Sequence, residues 1–142
     1  MPTRKATAEW QGGIRSGAGS LKSESGALTS NYNFSGRFEQ GTGTNPEELL
    51  AASHAGCYSM ALSGNLERAG KPATKINTEA ACTVEKADAG FKVTKMHLVV
   101  RASVPGIDDA EFQKIAEATK DGCPISGVMK NNVAMTLDAK LV

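Results

Sequence analysis

The chain has 142 residues, with sixteen basic and fifteen acidic side chains leaving a formal charge of +1. That length suits one ordinary domain, taken here as residues 1–142, which is long enough to bury a core. Balanced charge without a block of one sign excludes a nucleic-acid footprint and a polybasic membrane patch. The opening "MPTRKATAEW" lacks the apolar stretch of a secretory signal, and no apolar run approaches the ~20 residues that span a bilayer. The expectation is a cytoplasmic protein whose partners are small molecules or protein.

Along the first forty residues, Gly, Ser and Asn punctuate short segments in which Trp10, Ile14, Leu21, Leu28, Tyr32 and Phe34 recur. This predicts a meander of antiparallel strands, with "SESG" as a turn. A long helix follows. Asn45 can cap it, Pro46 suits the first helical position, Glu48 completes a variant capping box, and Gly70 with Pro72 ends it. Its middle, "AASHAGCYSMALSG", is almost free of charge, which predicts burial on most sides.

From Ile76 to Val84 apolar and polar residues alternate with the period of a half-buried strand, placing Cys82 inward. "ADAG" makes a turn, and Met96, Leu98, Val100, Ala102 and Val104 mark a longer strand that pairs with the first as a hairpin. Asp108 and Glu111 open a second helix, with Ile107 and Phe112 placed for a hydrophobic staple and an inner stripe of Phe112, Ile115, Ala116 and Thr119. It ends at Gly122. Cys123 before Pro124 reads as the N-cap of a third, short helix, "PISGVMK", and alternation from Val133 to Leu141 closes the chain as a strand. The fold class is α+β, with mostly antiparallel sheets around the long central helix.

Three cysteines are an odd number, which argues against a structural disulfide framework. Cys82 fits a small hydrophobe on an inward strand face. Cys123, beside a helix start, meets unpaired backbone N–H groups that favour a thiolate. Cys57 sits in mid-helix and gains nothing from a dipole, so reactivity there needs a cation from elsewhere. His54, three residues earlier, is one candidate and is equally a simple hydrogen-bonded core residue. A zinc site of Cys57, Cys123 and His54 lacks the spacing of known motifs, and a Cys–His hydrolase leaves Cys123 without a role. The residues alone leave packing, metal and chemistry open for Cys57.

Together, "GTNPEELLAASHAGCYSMAL", "DAGF", "VPGID" and "GCPISGVMK" resemble the osmotically inducible protein C (OsmC) family of bacterial thiol peroxidases, relatives of the organic hydroperoxide resistance proteins. The resemblance covers nearly the whole chain. It implies a peroxidase that reduces organic hydroperoxides, and hydrogen peroxide less well, recycled by a dithiol or lipoyl-type reductant and needing no metal or organic cofactor. It matches Cys57 to the peroxide-attacking cysteine, Cys123 to the resolving cysteine, Arg37 to the thiolate-stabilising arginine and Glu47 to the glutamate that orients it. Arg15 is the alternative arginine. A non-catalytic thiol or small-ligand-binding protein of the same fold is the rival reading.

Glu47 and Cys57 are ten residues apart, about 15 Å of helical rise, so they cannot meet within one helix. Two copies of the helix crossing antiparallel near Ala52 bring Glu47 of one chain level with Cys57 of the other. Ala51, Ala52, Ser53, Ala55 and Gly56 permit the approach. The expectation is a homodimer with shared sites, in agreement with the intertwined dimer of the family.

Overall fold

A computed structural model describes residues 1–142. The chain forms two compact units, residues 1–49 and 50–142.

The first unit is a sheet of β1 (Ala6–Gln11), β2 (Ala18–Ser23) and β3 (Thr29–Tyr32), antiparallel in that order, followed by a short helix α1 (Phe34–Phe38). The "SESG" turn closes on the Gly26 N–H to Ser23 carbonyl bond, 3.0 Å. Gly19 lies opposite both Trp10 and Tyr32 in the register. A Cβ at Gly19 would stand 2.5 Å from the Tyr32 ring, so its missing side chain lets the Trp10 and Tyr32 rings meet at 5.4 Å. Helix α1 replaces the continuing strand that the aromatic spacing suggests. The Asn33 side chain accepts from Gly36 N–H at 2.7 Å, and the i, i+4 pair Phe34 and Phe38 stacks at 5.1 Å.

Helix α2 (Pro46–Arg68) begins where the capping residues place it, with Glu48 N–H donating to Asn45 Oδ1 at 2.7 Å. The Glu48 carboxylate takes the Thr44 hydroxyl, at 2.9 Å. Gly70 adopts the left-handed conformation, φ +73°, that closes the helix.

In the second unit, β4 (Lys75–Ala87) and β5 (Gly90–Ser103) form the expected hairpin, with a bulge at Thr83/Val84. Helices α3 (Asp109–Gly122) and α4 (Pro124–Met129) lead to β6 (Ala134–Leu141). Strand β6 pairs with β5 in parallel, a departure from the otherwise antiparallel pattern. A parallel neighbour needs a crossover, and α3 with α4 supplies it.

The core of this unit brings Tyr58, Leu62 and Leu66 of α2 against Leu98, Val100 and Ala102 of β5, Phe112 and Ala116 of α3 and Ala139 of β6. Each large apolar side chain here stabilises the fold by about 1.5–3 kcal/mol. The Tyr58 hydroxyl donates to the Ala116 carbonyl at 2.9 Å, and burial pushes its ionisation far up, so it stays a donor.

In the single chain, α2 is buried on one side only. His54, Tyr58, Leu62 and Leu66 recur every four residues as the inward ridge, while Ala52, Ser53, Gly56 and Met60 are exposed, Met60 at 81 %. The uncharged middle that predicts burial on most sides therefore leaves an open face of small residues. No helix is long and apolar enough to cross a membrane.

Candidate active site

Within residues 50–142, Cys57 and Cys123 come together. Cys57 sits one residue before the buried Tyr58, at the margin of the inward ridge, and is half-buried. It lines an open hollow of about 640 Å³ with Met60, Ile115 and Pro124 among its neighbours. Cys123 is 1 % exposed. It ends α3, its N–H bonding the Thr119 carbonyl at 3.0 Å, and it caps α4. Both thiols are free.

Burial is the largest influence on the Cys57 thiol and pushes its ionisation up. A hydrogen bond from the Ile125 backbone pulls it back, and the Cys123 side chain, both as hydrogen-bond partner and as a charge, pushes it up again. The net direction is upward, so a thiolate at neutral pH calls for a cation in addition.

Cys123 Sγ accepts from Ser126 N–H at 3.4 Å and lies 3.2 Å from Ser126 Oγ. The same hydroxyl lies 2.8 Å from His54 Nε2. Both His54 and Ser126 are wholly buried. Burial holds the His54 imidazole below its ordinary value, so the ring is neutral at pH 7.

Within residues 1–49, Arg37 and Glu47 come together. Arg37 Nη2 donates to Glu47 Oε1 at 2.9 Å, and Nε donates to both carboxylate oxygens at 3.2 Å. This fork-on-fork geometry fixes the guanidinium plane. Glu47 thus engages the Nε–Nη2 edge of the guanidinium. The pair forms within one chain, so Glu47 orients the Arg37 of its own chain. Phe38 lies under Arg37, its ring centroid 5.0 Å from the guanidinium carbon. Arg15 sits over the Phe34 ring at 4.4 Å. Trp10, Ile14, Tyr32, Phe34 and Phe38 line a hollow of about 240 Å³ beside Arg37.

Sequence reasoning missed Ser126 and the Ile125 N–H. The available signal was the "CPIS" spacing, which puts Ser126 three residues after a helix cap. Cys82, on β4 opposite Met96, is half-buried. No group of three or more His, Cys, Asp or Glu side chains is placed to hold a metal ion.

The profile of the family described as OsmC-like protein matches residues 39–138. The chain belongs to the OsmC family. Among its relatives, peroxiredoxin OsmC of Escherichia coli (strain K12) is 47 % identical over 97 % of this chain and 96 % of that protein. The organic hydroperoxide resistance protein OhrB of Bacillus subtilis (strain 168) is 31 % identical over 87 % of this chain and 90 % of the relative. The crystal structure of OhrB of Bacillus subtilis superposes with a TM-score of 0.78 at 28 % identity, covering 97 % and 98 % of the two chains. An OsmC-like protein from Mycoplasma pneumoniae reaches the same TM-score at 12 % identity, covering 99 % of this chain and 98 % of that one; that likeness speaks for the OsmC fold alone.

Proposed function

We propose that the protein is a cysteine-based peroxidase of the OsmC type, acting in stress defence, that reduces organic hydroperoxides and, less efficiently, hydrogen peroxide. The observation that carries this reading is the pairing of a half-buried thiol, open to a hollow, with a buried second thiol against it.

In the first step the Cys57 thiolate attacks one peroxide oxygen. The O–O bond breaks, Cys57 becomes a sulfenic acid, and the departing alkoxide takes a proton to leave as an alcohol. Cys123 then attacks the Cys57 sulfur. The S–S bond forms, the S–O bond breaks, and hydroxide leaves with the thiol proton as water. A dithiol of the lipoyl class reduces the disulfide through a mixed disulfide and is itself oxidised. Sulfur alone carries the two electrons.

The cation for Cys57 is Arg37, held by Glu47. Ten residues of helix between Glu47 and Cys57 are about 15 Å of rise, which supports delivery of the pair by a second chain. The open face of Ala52, Ser53 and Gly56 on α2 suits a close helix crossing. On this reading residues 1–142 work as one domain in a cytoplasmic homodimer with two shared sites. The Glu47 carboxylate clasps Arg37, which supports Arg37 rather than Arg15 in this role. The apolar hollow beside Arg37 favours an organic over an inorganic peroxide.

The test is consumption of cumene hydroperoxide or tert-butyl hydroperoxide with dihydrolipoamide. Cys57→Ser should abolish turnover, and non-reducing digestion of peroxide-treated native protein should yield a Cys57–Cys123 linked peptide. Failure of the native protein to consume either peroxide would favour the rival, a non-catalytic thiol or ligand-binding protein.

A further inference from the structure

His54 is wholly buried in the inward ridge of α2, where a leucine would fill the space without the cost of desolvating an imidazole. Its Nε2 meets Ser126 Oγ at 2.8 Å, and its Nδ1 is buried with no hydrogen-bond partner. A neutral imidazole carries one N–H. Placing that hydrogen on Nδ1 would bury a donor without an acceptor, so it belongs on Nε2, which donates to Ser126 Oγ.

The direction of that bond determines the next one. With the Ser126 oxygen accepting from His54, its own hydrogen is free to donate, and Cys123 Sγ is 3.2 Å away. The same sulfur already accepts from the Ser126 N–H at 3.4 Å. Two donors from one residue therefore fix the side of the sulfur that faces α4. Histidine, serine and cysteine form one dry chain, none of them more than 1 % exposed, and the Cys123 side chain interacts with the Cys57 thiol.

We propose that His54 is a positioning residue for the second thiol, acting through Ser126 to hold Cys123 Sγ aimed at Cys57. This rests on the reading that Cys123 resolves a Cys57 sulfenic acid. His54 and Ser126 touch neither peroxide nor the attacked sulfur. They order the sulfur that attacks, and the two donors stabilise negative charge as the S–H proton departs. Both residues end the step unchanged.

The experiment is a single turnover of reduced protein with tert-butyl hydroperoxide, following peroxide loss and disulfide formation as separate rates. Ser126→Ala and His54→Leu should slow disulfide formation about tenfold or more, the weight of a lost positioning hydrogen bond. The rate of peroxide loss should stay within about twofold. Dimedone should then trap Cys57 sulfenic acid in these variants. His54→Gln, whose amide nitrogen can stand near the place of Nε2, should restore the fast second step.

Equal slowing of both rates in Ser126→Ala and His54→Leu, tracking lost thermal stability, would mean a merely structural role and overturn the proposal. So would a Ser126→Ala variant that forms its disulfide at the native rate. Native protein that never forms a sulfenic acid would instead overturn the peroxidase reading beneath it.

Discussion

Mixed dimers test the shared site most directly. Because Glu47 clasps Arg37 of its own chain, on the proposed shared-site reading the pair reaches a partner's Cys57 as one unit. A guanidinium about 4 Å from a thiolate contributes about 4 kcal/mol at an effective dielectric of 20. The Arg37 side chain is 39 % exposed, and discounting about half for solvent leaves about 2 kcal/mol, roughly thirtyfold in rate. Arg37→Ala should therefore retain about 3 % of peroxidase activity, and Cys57→Ser none.

After denaturation and refolding of the two variants in equal amounts, about half of the dimers are mixed, and each mixed dimer holds one intact site of two. Activity should recover to about one quarter of native, well above the residue from Arg37→Ala alone. A mixture of Arg37→Ala with Glu47→Gln should not recover, because every site receives a damaged pair. Activity that stays at a few per cent in the first mixture, with chain exchange verified by mass, would refute the shared site. Recovery in the second would show that Arg37 and Glu47 pair across chains.

Three further outcomes are expected. Cys123→Ser should consume about one equivalent of peroxide and accumulate dimedone-reactive Cys57, while Cys82→Ser should turn over at close to the native rate; a folded but inactive Cys82→Ser would overturn the assignment of the two thiols. Burial holds His54 below its ordinary value of 6.5, so the unfolded chain takes up a proton that the folded chain refuses, and this residue's stability contribution is present above pH 6.5 and lost as pH falls below it. Tm should thus decline from pH 7 to pH 5, and His54→Gln should flatten that decline; Asp138, held low by Arg101, acts only near and below its ordinary value of 3.8. Tyr58→Phe, which removes the 2.9 Å bond to the Ala116 carbonyl, should cost about 1 kcal/mol in urea unfolding without changing the m-value.

The parts of the fold that local chemistry sets were legible. Asn45 and Pro46 located the start of α2, Asp108 that of α3, and alternation located β4 and β5, because a cap or a pleat is decided within a few residues. Helix α1 was not read, since Phe34 continues the spacing of the preceding strands and only its i, i+4 partner Phe38 hints at a turn of helix. The parallel pairing of β6 with β5 was not legible either, because it is fixed by a crossover rather than by any turn residue.

The site divides the same way. Resemblance supplied Cys57, Cys123, Arg37 and Glu47 as names, and the ten-residue gap between Arg37 and Glu47 did not show that they pair within one chain. His54 and Ser126 lie 72 residues apart, and no sequence pattern joins them.

The parallel pairing of β5 with β6 has a consequence for biosynthesis. A ribosome releases the chain from its amino end, so α2 and Cys57 emerge well before β6. Until β6 adds to β5, the crossover that carries Cys123 is closed on one side only, and loop closure of this kind is slow. On the proposed chemistry, the newborn protein therefore passes through an interval in which the thiol that meets peroxide exists without the thiol that rescues it. On the same reading the cation that ionises Cys57 is also missing until a folded partner delivers Arg37, so the thiol stays protonated and slow toward peroxide through that interval.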